Sequence, residues 1–205
     1  MIRFSPSGSR RASLRLLLLL AVSNTAMATG AAGTAVDAAR LAAAGTETAN
    51  WIQHGRTQDE QRYSPLSQIS GDNVEDLGLA WYLDLGTKRG LEGTPLVVDG
   101  VMYFTGEWSK AYAVDARSGK QLWAYEHRLP DDIRPCCDVV NRGPAIYGDK
   151  IFFGTLDGRL VALNKDTGKP MWIKKVADYQ AGYAITAAPI VVKGKVITGV
   201  SGGEF

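Results

Sequence analysis

The chain has 205 residues, 45% hydrophobic and 21% charged, a composition that excludes a disordered, collagenous or cysteine-stapled miniprotein. Its formal net charge is +2, but the first 28 residues carry Arg3, Arg10, Arg11 and Arg15 and no acid. Without those four, the 23 basic residues become 19 against 21 acidic, so the mature chain has no electrostatic footprint for nucleic acid.

Residues 1–28 read as a secretory signal peptide. The arginines form a charged start, and Leu14 to Val22 supplies an apolar stretch too short for a bilayer, which needs ~20 residues. Ala26-Met27-Ala28 offers the small residues of a cleavage site. Export places the chain in an oxidising compartment. Residues 29–49, rich in Ala, Gly and Thr, read as a flexible N-terminal segment.

After residue 50 the chain alternates short β-type runs with Gly and Asp turns, and no long amphipathic helix is predicted. Leu96 to Val98, Val101 to Phe104 and Ala111 to Val114 form one set of runs. Ile151 to Phe153 and Leu160 to Leu163 form another, and Ile190 to Val192 with Val196 to Thr198 opens a third. Shifting the chain against itself by 49 residues puts Pro95 on Pro144, Ala113 on Ala162, Gly119-Lys120 on Gly168-Lys169 and Trp123 on Trp172. Pro189 opens a further copy 45 residues after Pro144, and Ala80-Trp81 looks like the tail of an earlier one. A period in the forties with strand–turn–strand content predicts an all-β fold, a β-propeller with one four-stranded blade per repeat. The Asp or Asn followed by Ser/Thr-Gly-Lys predicts a turn in which glycine takes positive φ. The tryptophan closing each copy predicts a wedge between blades whose indole N–H seeks a backbone acceptor. Propellers close with four to eight blades, and only two full copies with parts of two others fit here. The sequence therefore reads as the first part of a longer protein.

Two cysteines make neither a disulfide framework nor a four-cysteine zinc site. Cys136 and Cys137 are adjacent, with Cα atoms only about 3.8 Å apart across a trans peptide, below the usual disulfide range. A strained ring between them, two thiols, or partners elsewhere all remain open on these residues alone.

The run Cys136-Cys137-Asp138-Val139-Val140-Asn141-Arg142-Gly143 resembles the pyrroloquinoline quinone (PQQ)-dependent alcohol dehydrogenases. So do Trp51 to Thr57 with Arg62 to Leu66, the Trp-ended repeats, and the ending Ser201-Gly202-Gly203-Glu204. The resemblance spans residues 50–205 and implies the first blades of an eight-bladed quinoprotein propeller. It implies that the Cys136–Cys137 pair forms a vicinal disulfide stacked on one face of PQQ. Glu92 and Arg142 would touch the quinone, the guanidinium matching a tricarboxylate by charge and fork geometry. Thr186 would bond a cofactor carboxylate, and Ser201, Gly202 and Gly203 would close around its edge. Glu204 would be one ligand of calcium, a hard cation that takes six to eight oxygens.

The implied reaction oxidises primary alcohols to aldehydes in the periplasm. Calcium acts as Lewis acid on the quinone carbonyl, an aspartate takes the alcohol proton, and hydride passes to the quinone carbon. Electrons then go to a cytochrome c or quinone, and some family members carry haem c in a C-terminal domain. The family's base, its calcium-ligating asparagine and its second stacking aromatic match no residue here. Residues 1–205 thus hold no catalytic group and are expected to show no turnover alone. The alternative is a non-catalytic propeller scaffold of outer-membrane assembly. That class needs a lipobox cysteine, and none precedes Cys136. No Gly-x-Gly-x-x-Gly supports a nicotinamide cofactor. His54 and His127 are isolated and read as structural or surface residues rather than metal ligands. Trp108 and Tyr112 read as blade packing, with the cofactor face of the propeller as the alternative place for Trp108.

Overall fold

The β-branched and aromatic runs of the repeat form strands because each fits a pleated surface buried against a neighbour. In the computed structural model, which describes residues 35–135 and 138–203, the first blade comprises β1 (Leu96–Val98), β2 (Val101–Thr105), β3 (Lys110–Asp115) and β4 (Gln121–Glu126). The second comprises β5 (Ala145–Tyr147), β6 (Lys150–Gly154), β7 (Arg159–Asn164) and β8 (Pro170–Lys175), and β9 (Ile190–Val192) pairs with β10 (Lys195–Ile197). Both four-stranded sheets are antiparallel meanders in chain order. The fold expected from the repeat is the fold observed, down to a register shift at Ala113/Val114 repeated at Ala162/Leu163. The signal peptide assignment, residues 1–28, lies outside the described residues.

The repeated turn and the tryptophan prove to be two halves of one joint. Asp115 accepts from the backbone N–H of Arg117 and Ser118 and from the Ser118 hydroxyl, at 2.7–3.1 Å. Asn164 repeats this with Asp166 and Thr167 at 2.9–3.1 Å. The indole N–H of Trp81 donates to Ala116 O at 3.1 Å, and that of Trp123 to Lys165 O at 2.8 Å. Each indole therefore docks on the turn of the following blade. A Cβ on Gly119 would lie 2.5 Å from the Trp81 ring, and one on Gly168 2.7 Å from the Trp123 ring. With φ of +72° and +68°, these glycines are required by both backbone conformation and ring approach.

Residues 29–49 were expected to be loose, yet their described part is packed. Val36 pairs with Gly148, helix α1 (Ala38–Ala42) is capped by Asp37, and Val36, Leu41, Ala44 and Ile52 join the core formed by Leu96, Ile146, Phe153 and Val161. Arg40 clamps the segment by bonding Glu47 at 2.7 Å and Asp99, in the β1–β2 turn, at 2.7 Å. The burial is carried by Val36, Leu41 and Ala44, isolated positions too few to give a periodic signal in the sequence.

Candidate cofactor site

The repeat puts Glu92, Asn141 and Thr186 at one position, three residues before the prolines that precede β1, β5 and β9. Proline at the entry of a strand removes no ladder hydrogen bond. Because β5 and β9 are neighbours and Thr94 bonds Arg142, these entry segments lie side by side at one end of successive edge strands.

Arg142 joins all three. Its N–H donates to Thr186 O at 2.9 Å and its carbonyl accepts from Thr94 N–H at 3.2 Å. Its guanidinium donates to Thr186 Oγ1 at 3.0 Å and lies 3.3 Å from Glu92 Oε2. The hydroxyls of Thr186 and Ser201 are 3.4 Å apart, and Ser201 Oγ donates to Ala184 O at 3.2 Å. Glu92, Arg142, Thr186 and Ser201 thus form one connected polar line. The Arg142 and Glu92 side chains are 53% and 48% exposed, so their ion pair adds little stability and remains accessible to a ligand.

Gly202 and Gly203 follow Ser201 with φ of +84° and +83°. The family resemblance implies that they close around the cofactor edge. The structure supplies a further reason, since a Cβ on Gly202 would stand 2.0 Å from Gly182 O and one on Gly203 2.2 Å from the Tyr183 ring. The remaining expected site residues, Cys136, Cys137 and Glu204, lie outside the described residues.

Asn141 was not singled out from sequence, although it occupies the same repeat position as Glu92. It is 4% exposed, donates to Gly154 O at 2.9 Å and accepts from Gly143 N–H at 3.0 Å, fixing the backbone on either side of Arg142. Asp138, at φ +98°, accepts from Val139 N–H at 2.7 Å and from Arg89 at 3.3 Å, tying the segment after the cysteines to the one before Glu92. Tyr112 is buried as expected and stacks on Phe104 with centroids 5.0 Å apart. Trp108 is instead 36% exposed, with φ +54°, and its N–H donates to Val139 O at 3.0 Å.

A cavity of about 330 Å³ lies elsewhere, between Leu41, Ile52 and His54 on one side and Ile146, Pro189 and Val191 on the other. None of the expected cofactor residues among the described ones lines it. Burial, assisted by the Arg62 charge, pushes the His54 pKa below its ordinary value.

Four-stranded blades with Trp81 and Trp123 each docked on the next blade's turn define a tryptophan-docked β-propeller. The family model described as "PQQ: Glucose/ethanol/alcohol dehydrogenase, beta-propeller domain" matches residues 51–204, and the chain belongs to that family. It is 58% identical over 156 residues to quinoprotein alcohol dehydrogenase PedH of Pseudomonas putida KT2440, covering 75% of this chain and 26% of that protein. It is 50% identical over 213 residues to a quinoprotein ethanol dehydrogenase of Pseudomonas aeruginosa, covering 98% of this chain and 33% of that one. The chain thus spans about a quarter to a third of these curated relatives, 26% and 33%. Among solved structures, it superposes on the quinohemoprotein alcohol dehydrogenase ADHIIG of Pseudomonas putida HK5 with a TM-score of 0.76 at 51% identity, covering 84% of this chain and 26% of that one. A europium-containing methanol dehydrogenase gives 0.77 at 42% identity, covering 82% and 30%.

The donor set fits the family's cofactor. A half-exposed guanidinium held between the Thr186 hydroxyl and the Glu92 carboxylate, with the Ser201 hydroxyl next in line, suits a planar ligand bearing carboxylates.

Proposed function

We propose that this chain forms one wall of the PQQ site in a periplasmic quinoprotein that oxidises primary alcohols to aldehydes. The observation that carries the reading is Arg142, half-exposed and bonded at once to Glu92 and Thr186. In it, Arg142 pairs with anionic oxygens of the cofactor, Thr186 and Ser201 bond a carboxylate edge, and Glu92 holds the guanidinium at its angle while facing the ring system. Cys136 and Cys137 form the stacking disulfide, and Glu204 is one oxygen ligand of calcium. PQQ when bound supplies the two-electron acceptor for the alcohol, and the residues of this wall orient it and balance its charge. The electron acceptor is a cytochrome c or a quinone, and a haem c domain is the proposed further module, since two of the relatives are named quinohemoproteins.

The test is titration of the full-length apoprotein with PQQ and Ca²⁺, followed by ethanol oxidation with an artificial dye acceptor. Saturable PQQ binding that Arg142→Ala weakens at least tenfold supports the reading. Dye reduction that proceeds equally well without PQQ overturns it.

A further inference from the structure

Beneath the cofactor wall lies a buried charged network that the site does not use directly. Asp157 is 3% exposed and sits in the β6–β7 turn. It accepts from Thr155 Oγ1 and from Arg159 Nε, the latter at 2.8 Å, and lies 3.2 Å from His127 Nε2. The other ring nitrogen of His127 is 3.3 Å from the Tyr125 hydroxyl. His127 is 8% exposed and Thr155 fully buried. Burial disfavours the Asp157 carboxylate, but the hydrogen bonds from His127 and Thr155 and the His127 charge outweigh it and hold its pKa below the ordinary range.

This turn reaches both sides of the wall. On one side, Thr155 O accepts from Ile185 N–H at 3.0 Å, next to Thr186. On the other, Leu156 N–H donates to Ser109 Oγ at 2.9 Å, and Ser109 O accepts from His127 N–H at 3.3 Å. Trp108 N–H then bonds Val139 O at 3.0 Å, two residues from Cys137 and three from Arg142. Trp108 and Ser109 stand at φ +54° and +61°, a costly conformation for side-chain-bearing residues that persists only where surroundings enforce it. Leu156 also packs with Val139 and Ala184, the partner of Ser201. Stability alone does not account for such a network, since apolar replacements of buried charges are often neutral or stabilising.

We propose that Asp157, with His127, is a positioning residue that braces the two halves of the cofactor wall, fixing Ile185–Thr186 on one side and the Trp108–Val139 contact leading to Arg142 on the other. The inference rests on the PQQ reading only for its consequence. The bracing itself is a property of this chain.

The experiment compares Asp157→Ala, Asp157→Asn and a core control, Phe153→Leu, in the full-length protein. Backbone amide exchange is followed at Trp108, Arg142 and Ile185, and the Kd for PQQ by titration of the apoprotein. In Asp157→Ala the three amides exchange faster and PQQ binds about tenfold more weakly, the scale on which losing outer-shell support weakens a held group. Asp157→Asn, which keeps an acceptor for Thr155, falls between Asp157→Ala and wild type. Phe153→Leu lowers the Tm without moving either readout selectively. If Asp157→Ala lowers the Tm but leaves the three amides within twofold of wild type, the proposal is overturned. A wild-type protein that binds no PQQ defeats the cofactor reading, and exchange at the three amides still decides the bracing.

Discussion

Arg142 is bonded to Thr186 twice, through its backbone N–H to the threonine carbonyl at 2.9 Å and through its guanidinium to the hydroxyl at 3.0 Å. The first contact docks two strand entries against each other. The second aims a charged side chain, and the separation of these tasks lets the side chain be changed without losing the joint.

Arg142→Ala should therefore leave the Tm nearly unchanged, because a half-exposed ion pair contributes about 0–1 kcal/mol. Its effect should fall on PQQ affinity, weakened about 10- to 100-fold if charge-assisted bonds worth about 1.5–3 kcal/mol are lost. Arg142→Lys should recover only part of this, since an ammonium keeps charge but not the planar fork. PQQ titration beside a thermal melt separates the two effects. A large Tm loss with unchanged affinity would reverse the assignment.

The blade joint gives a prediction with an internal control. Gly168→Ala must place a Cβ at positive φ and against the Trp123 ring, and should cost about 2 kcal/mol or more. Gly148 also has positive φ (+61°), but nothing lies within 4 Å of its would-be Cβ. Gly148→Ala should cost only the backbone penalty of about 1–2 kcal/mol. Urea unfolding of both variants gives the difference, which measures ring contact. Equal costs would mean the indole moves aside.

Asn141→Ala should cost about 1–3 kcal/mol, because it leaves Gly154 O and Gly143 N–H buried without their partner. It should also reduce PQQ affinity through Arg142, whose backbone it fixes. Asn141→Asp keeps an acceptor for Gly143 N–H but removes the donor to Gly154 O, and should be no better. Unfolding and titration on the same variants check both parts.

Stability should fall in acid in a way that Asp157 makes specific. Its folded pKa lies below the unfolded value of about 3.9. The stabilisation is therefore fully present above about pH 4, near that unfolded value, and is lost as pH falls through the folded pKa. Asp157→Asn should flatten this acid limb of the stability curve, and His127→Ala should shrink it by removing one of the bonds that depress the pKa. Urea midpoints between about pH 2.5 and 6 measure it, and an unchanged limb in Asp157→Asn would assign the acid sensitivity to other carboxylates.

The propeller and its joints were legible in the sequence because they are local and repeated. Asp115, Gly119 and Trp123 recur as Asn164, Gly168 and Trp172 at a 49-residue spacing, so each turn's chemistry and each tryptophan's role could be read twice. Arg142, Glu92 and Thr186 were found by resemblance, and the repeat position shared by Glu92, Asn141 and Thr186 carries the reason they meet. What only the tertiary structure decided has no such periodicity. The Ala- and Gly-rich segment before Trp51 looks loose in composition, but Val36, Leu41 and Ala44 bury it in the core beside Leu96 and Ile146. His127 and Asp157 are separated by 30 residues and carry no motif, and their pairing exists because the residue after β4 of one blade and the β6–β7 turn of the next meet in the same buried volume. Gly202 and Gly203 are placed around the cofactor edge by resemblance, while the carbonyl of Gly182 and the ring of Tyr183 give the chain its own need for them. Local patterns encode which elements form. Close packing between elements distant in sequence decides which polar groups share a dry interior, and that information lies in the fold.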